Sequence, residues 1–148
     1  MIIHTLKKLF ERDLRKLKDE IELYKNEENM WLVDELITNS AGNLCLHLIG
    51  NLKAYVGVGL AKTSYTRDRK REFSAKNIPR SALIDQIEET IEIIDNGLDN
   101  LDESQLNEDF PIIVLGGPTE MEFTLIHFST HLNYHLGQIN YHRRLLDN

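Results

Sequence analysis

The sequence has one cysteine (Cys45), one tryptophan (Trp31) and three prolines, at positions 79, 111 and 118. A lone cysteine cannot form an intramolecular disulfide, which suits a reducing compartment. Few prolines leave long stretches without a helix breaker. No uninterrupted apolar run approaches the roughly 18 residues that a membrane span requires. The N-terminal MIIHTLKKLFERDLRK also lacks the basic start, apolar core and small-residue cleavage site of a signal peptide. The expectation is therefore a cytoplasmic protein without a membrane partner. A basic balance is missing as well: 17 Lys and Arg face 24 Asp and Glu, a formal net charge of -7. General nucleic-acid binding is excluded on that ground, because it calls for an overall basic balance or a wide basic face. Repeats and low-complexity tracts are also absent.

What is there reads as a single domain over residues 1–148, with 41% hydrophobic and 28% charged residues, enough to enclose a core. Leu6, Phe10, Leu14, Leu17, Ile21 and Tyr24 recur every three or four residues, which predicts an amphipathic helix of about 20 residues. After the polar KNEEN and a short MWLVDELIT, Asn39 and Ser40 offer N-caps for a second helix, AGNLCLHLIGNLKAYVGVGLAK. Ile84, Ile87, Ile91, Ile94, Leu98 and Leu101 form the seam of a third, with Pro79 before it and Ser81 as its cap. A last helix is expected to start at Pro118 and Thr119, with Glu120 and Glu122 in its first turn and Arg143 and Arg144 in its last, each suiting the helix dipole. Between these lie a polar, basic loop, TSYTRDRKREFSAKN, and DESQLNEDFPIIVLGGPTEM, whose PIIVL suits a short extended piece. Four amphipathic helices in one domain, joined by long loops, predict an all-α four-helix bundle.

Four of the six histidines fall in the last helix, in HFSTHLNYHLGQINYH. At about 100° per residue from His127, His131 lies at about 40°, His142 at about 60° and His135 at about 80°. Phe123, Tyr134 and Tyr141 flank this stripe on one side and Phe128, Leu132 and Ile139 on the other, so the imidazoles are expected to point inward along the middle of an apolar arc. A single inward histidine is ordinarily a hydrogen-bonded core residue. Several together each cost desolvation and call for a shared partner, for which neutral imidazole most commonly has a metal ion. His131 and His135 have the i, i+4 spacing that lets one helical turn reach a common ion. Leu132 stands where a zinc protease would carry its glutamate, so that reading fails. A third ligand should come from a neighbouring helix, and His47 is the histidine of helix two, at the edge of the face formed by Leu44, Leu48, Leu52 and Tyr55.

Other residues admit two readings. Asn51 and Gln138 either orient ligands or satisfy internal hydrogen bonds. The run Arg67, Arg69, Lys70 and Arg71 either contacts an anionic substrate or thiol or belongs to a solvated loop. Cys45 suits a small buried thiol and Trp31 a core or interface anchor. No carboxylate lies on the histidine stripe, so the sequence names no general base.

NSAGNLCLHLIGNL, RDRKREF and HFSTHLNYHLGQINYHRRLL together resemble the DinB/YfiT-like family of metal-dependent four-helix-bundle proteins, over nearly the whole chain. The most specific pieces are the helix-two histidine after its NS cap and the HxxxHxGQI pattern, matched by His131, His135, Gly137, Gln138 and Ile139. The resemblance implies a three-histidine site at His47, His131 and His135, with His127 and His142 left to orient the ligands or fill the core. It also implies a homodimer and a small-molecule substrate, since characterised members include bacillithiol-type S-transferases and a mycothiol-dependent isomerase. Histidine-only ligation suits zinc, nickel or iron, and an ion held by neutral ligands activates a bound water or low-molecular-weight thiol. A metal-dependent hydrolase and a non-catalytic stress-related or metal-sensing bundle are the alternatives.

Overall fold

The computed structural model describes residues 1–148 and contains four long helices. Helix α1 covers Ile2–Leu23, α2 Ala41–Leu52, the short α3 Arg69–Ser74, α4 Arg80–Asp99 and α5 Met121–Leu146. Helix α2 runs on as a π-helical segment, Lys53–Ala61. There is no strand. The PIIVL segment is an irregular loop closed at its base by the single bridge of Asp109 with Glu120 and by Phe110 N–H donating to the Thr119 carbonyl at 2.8 Å. The expected four-helix bundle is thus present, with one addition: the basic stretch forms α3, because Asp68 caps it by accepting from Arg71 N–H at 3.0 Å.

Cross-helix contacts fix the directions. Lys7 pairs with Asp95 and Asp99 while Lys18 pairs with Glu88, so α1 and α4 run antiparallel. Asp13 accepts from Asn133, Glu20 from Asn140 and Arg143, and Tyr24 meets His142, so α1 and α5 run parallel. Lys53 pairs with Glu89 and Gly57 lies against Ile93, so the long α2 runs parallel to α4. Around the bundle the order is α1, α4, α2, α5, in an up, down, down, up arrangement. Joining α1 to α2 and α4 to α5 crosses this ring, and joining α2 to α4 returns the chain to the same end. Short hairpins can do neither, which is why the connections are long.

Leu6, Phe10, Leu14, Leu17 and Ile21 of α1 are buried, as is Tyr24 just past its end. In α4, Ile87, Ile91, Ile94 and Leu98 are buried, while Ile84 in its first turns and Leu101 just past its end are half-buried. Every residue of Ala41–Leu52 is buried. The stretch Ala41–Ala61 reaches the length and mean hydropathy of a membrane span, which a search for unbroken apolar runs overlooks, but it lies mostly inside the bundle and serves as its core helix. Ser40 is its cap, accepting from Asn43 N–H at 3.2 Å. Two other boundaries differ from expectation. Helix α4 begins at Arg80 with Pro79, not Ser81, at the N-cap, and α5 begins at Met121, three residues after Pro118.

The main departure concerns α5. A helix at the corner of a bundle buries only the arc between its two neighbours. On α5 that arc carries Leu125, Phe128, Leu132, Leu136 and Ile139. Phe123, Tyr134 and Tyr141, expected inside, are 58%, 65% and 61% exposed. The histidines consequently run along the margin of the buried arc, where α5 meets α2. His142, at the far end, is fully enclosed: its Nδ1 lies 2.6 Å from the Tyr24 hydroxyl and its Nε2 2.9 Å from the Leu32 carbonyl.

Candidate metal centre

His47 comes from the middle of the buried helix α2, and His131 and His135 from successive turns of the antiparallel α5. Each offers a ring nitrogen such that the three lie within 4.8 Å of one another. The ring centroids are 5.1 Å apart for His47 and His131, 5.3 Å for His47 and His135, and 4.6 Å for His131 and His135. His47 Nε2 and His131 Nε2 are 3.3 Å apart. Two nitrogens each about 2.0–2.1 Å from one tetrahedral ion stand about 3.3 Å apart, so this separation fits a shared cation. The donor set fits as well, because burial, opposed in part by Glu72, lowers the pKa of His47. Burial, then the neighbouring imidazoles of His135, His47 and His127, lowers that of His131 to about 4. Neutral imidazoles at neutral pH are the form that a metal requires. This three-histidine group can hold a metal ion.

Behind His47, on the ring edge away from the other histidines, stands a carboxylate that no sequence pattern singles out. Glu72 Oε1 lies 3.1 Å from His47 Nδ1, and Glu72 is only 5% exposed. Arg67 grips it with two hydrogen bonds, Nε to Oε2 at 2.9 Å and Nη2 to Oε1 at 3.0 Å. Asn43 Nδ2 fastens α3 to α2 by donating to the carbonyls of Glu72 at 2.9 Å and Ala75 at 2.8 Å. Gly50 leaves the space: a Cβ there would stand 2.0 Å from Glu72 Oε2. Glu72 is 25 residues from His47 on a six-residue helix, and the only local signal was Asp68 as a helix cap. Two aromatic rings flank the histidines, Phe73 centred 5.0 Å from His47 and Tyr134 5.3 Å from His135.

The remaining residues singled out in the sequence divide. Gln138 Oε1 lies 2.6 Å from His135 Nδ1, as an orienting partner would. Asn51 is buried, but its Oδ1 has no hydrogen-bond partner, and neither does His131 Nδ1. The His127 ring stacks 6.2 Å from His131 and stands outside the ligand group. His142 is engaged by Tyr24 and Leu32 and belongs to the core. Arg67 is committed to Glu72, whereas Arg69 and Arg71 are exposed on α3. Cys45 is buried, which pushes its thiol up to about 12 and leaves it without thiolate character. Trp31 is buried against Gly42 as a core residue.

Fold and site together define an all-helical bundle with a three-histidine group capable of holding a metal ion. The chain belongs to the family described as "Protein of unknown function (DUF1572)", whose model matches residues 2–148. A solved structure, that of a conserved protein from Enterococcus faecalis, matches with a TM-score of 0.77 at 14% identity, over 99% of this chain and 97% of that one. At that identity the likeness is one of fold. Comparison with curated proteins finds no match.

Proposed function

We propose that the protein binds one divalent ion through His47, His131 and His135 and uses it in small-molecule chemistry of the thiol S-transferase kind, as the resemblance to DinB/YfiT-like proteins implies. The observation that carries the reading is the convergence of three imidazole nitrogens from two antiparallel helices. A divalent ion held by three neutral ligands supplies Lewis acidity and lowers the pKa of a bound water or thiol. The chain's own residues do the rest. Phe73 and Tyr134 wall the histidine group and favour an apolar or aromatic portion of a substrate. Arg67 is neutralised by Glu72, which leaves the exposed Arg69, Lys70 and Arg71 as the free cations of α3 for an anionic group. Cys45 is too deeply buried to serve as the nucleophile, so a thiol has to come from a small molecule.

The test is elemental analysis of untagged protein and of the His131→Ala variant after dialysis against zinc, nickel and iron in turn. About one ion per chain in the wild type, lost in the variant, is expected. A folded wild type that retains no ion would overturn the reading and leave the histidines as a polar core.

A further inference from the structure

We infer that Glu72 is a positioning residue that presets His47 for metal binding. Its carboxylate, held by Arg67 in the space left by Gly50, keeps the His47 proton on Nδ1 and leaves Nε2 bare toward His131 and His135. The inference rests on reading the three histidines as ligands. An ionised carboxylate only accepts. The 3.1 Å contact of Glu72 Oε1 with His47 Nδ1 is a hydrogen bond only if that nitrogen carries the proton. Arg67 Nη2 lies 3.3 Å from the same nitrogen and has a second N–H besides the one given to Oε1 at 3.0 Å, so the opposite tautomer would accept from it; the shorter contact, to a charged acceptor, favours the proton on Nδ1. A bare Nδ1 would set two lone-pair atoms against each other in a buried place. With Nδ1 protonated, Nε2 is free, and it is the atom 3.3 Å from His131 Nε2.

The arrangement has three further properties. The bidentate arginine holds the carboxylate at one angle, so the ring it faces is fixed in rotation. The same arginine cancels the carboxylate's charge, so orientation comes without a net negative charge beside the ion. Gly50 makes the arrangement sensitive to a single methyl group, since alanine there would occupy the position of Oε2. Gln138 holds His135 by the same kind of bond at 2.6 Å, but it is exposed and competes with water. Glu72 is therefore the stronger determinant.

The test has one arm that needs no metal. In chelator-treated, ¹⁵N-histidine-labelled protein, two-bond ¹H–¹⁵N correlation spectra report which nitrogen of each imidazole carries the proton. His47 is expected as the Nδ1–H form in the wild type and in Glu72→Gln, whose side-chain oxygen still accepts. It is expected to revert toward the Nε2–H form in Gly50→Ala and Glu72→Ala. In the second arm, zinc affinity from competition with a chromophoric chelator should fall about 10- to 100-fold in Gly50→Ala and Glu72→Ala, and less in Glu72→Gln. A wild-type His47 protonated on Nε2 overturns the inference, with no variant needed. So does unchanged zinc affinity in a folded Gly50→Ala. Wild type that shows the Nδ1–H form, lost in Glu72→Ala, yet binds none of zinc, nickel and iron refutes the proposed function and the role in metal binding with it, leaving Glu72 to set the His47 tautomer alone.

Discussion

His142 offers the sharpest check on how histidines are used in this fold. It is 2% exposed, and burial lowers its pKa despite the hydrogen bond to the Leu32 carbonyl. Its geometry is that of a neutral ring, with Nε2–H donating to Leu32 and Nδ1 accepting from the Tyr24 hydroxyl. Replacing it with phenylalanine keeps the volume roughly constant but orphans the buried Tyr24 hydroxyl. The Leu32 carbonyl belongs to an exposed residue and can turn to water. One stranded buried hydroxyl costs about 1–3 kcal/mol. For a chain of this size that lowers Tm by about 3–10 °C at neutral pH. The pH dependence follows from linkage. The folded pKa lies below the unfolded value of about 6.5, so between the two the unfolded wild type binds a proton that the native state refuses. Wild-type stability from this residue is complete above the unfolded pKa and shrinks by up to about 1.4 kcal/mol per pH unit as pH falls toward the folded pKa. The variant has no such proton. Urea unfolding of both proteins with chelator at pH 7.5, 6.0 and 5.0 should therefore show the cost of His142→Phe narrowing with acid. A cost that stays constant or widens would mean that burial does not lower the pKa of this ring, and would refute the assignment.

Three other outcomes follow from the packing. Gly42→Ala drives a methyl to within 2.6–2.7 Å of the Trp31 ring carbons and should destabilise by about 1–3 kcal/mol, with a red-shifted tryptophan emission marking the displaced indole. Ser40→Ala removes the cap of α2 and should cost about 1 kcal/mol in urea unfolding, while zinc affinity, set deeper in the helix, holds. Arg69→Ala and Arg71→Ala alter exposed side chains of α3 and should shift stability by less than about 0.5 kcal/mol, leaving zinc binding unchanged.

The four long helices were legible because their apolar residues recur with helical spacing, and α1 and α4 bury the seams that this spacing marks. His47, His131 and His135 were legible too, since i, i+4 spacing on one helix and a lone histidine on another are local patterns. Helical spacing places Phe123, Tyr134 and Tyr141 with the apolar arc of α5, whereas the arc that is buried depends on which helices stand beside it. Glu72 was out of reach for a related reason. Its partners His47, Arg67, Gly50 and Asn43 are brought together only when α3 folds back on α2, and a six-residue helix rich in arginine has no periodicity to announce it.

The π-helical segment after α2 has a geometric consequence for the site. Its wider i→i+5 turns carry an extra residue compared with α-helix, so the angular phase of the side chains is reset partway along one continuous rod. Upstream of the reset, His47 addresses α5. Downstream, Tyr55 still stacks on Phe128 of α5 while Val56, Gly57 and Leu60 address α4. A uniform helix would have to keep one phase for both neighbours. Deleting a single residue between 53 and 61 would leave the rod unbroken yet turn one half by about 100° against the other, so the length of this segment, as much as any side chain in it, decides whether the histidines of two helices face each other.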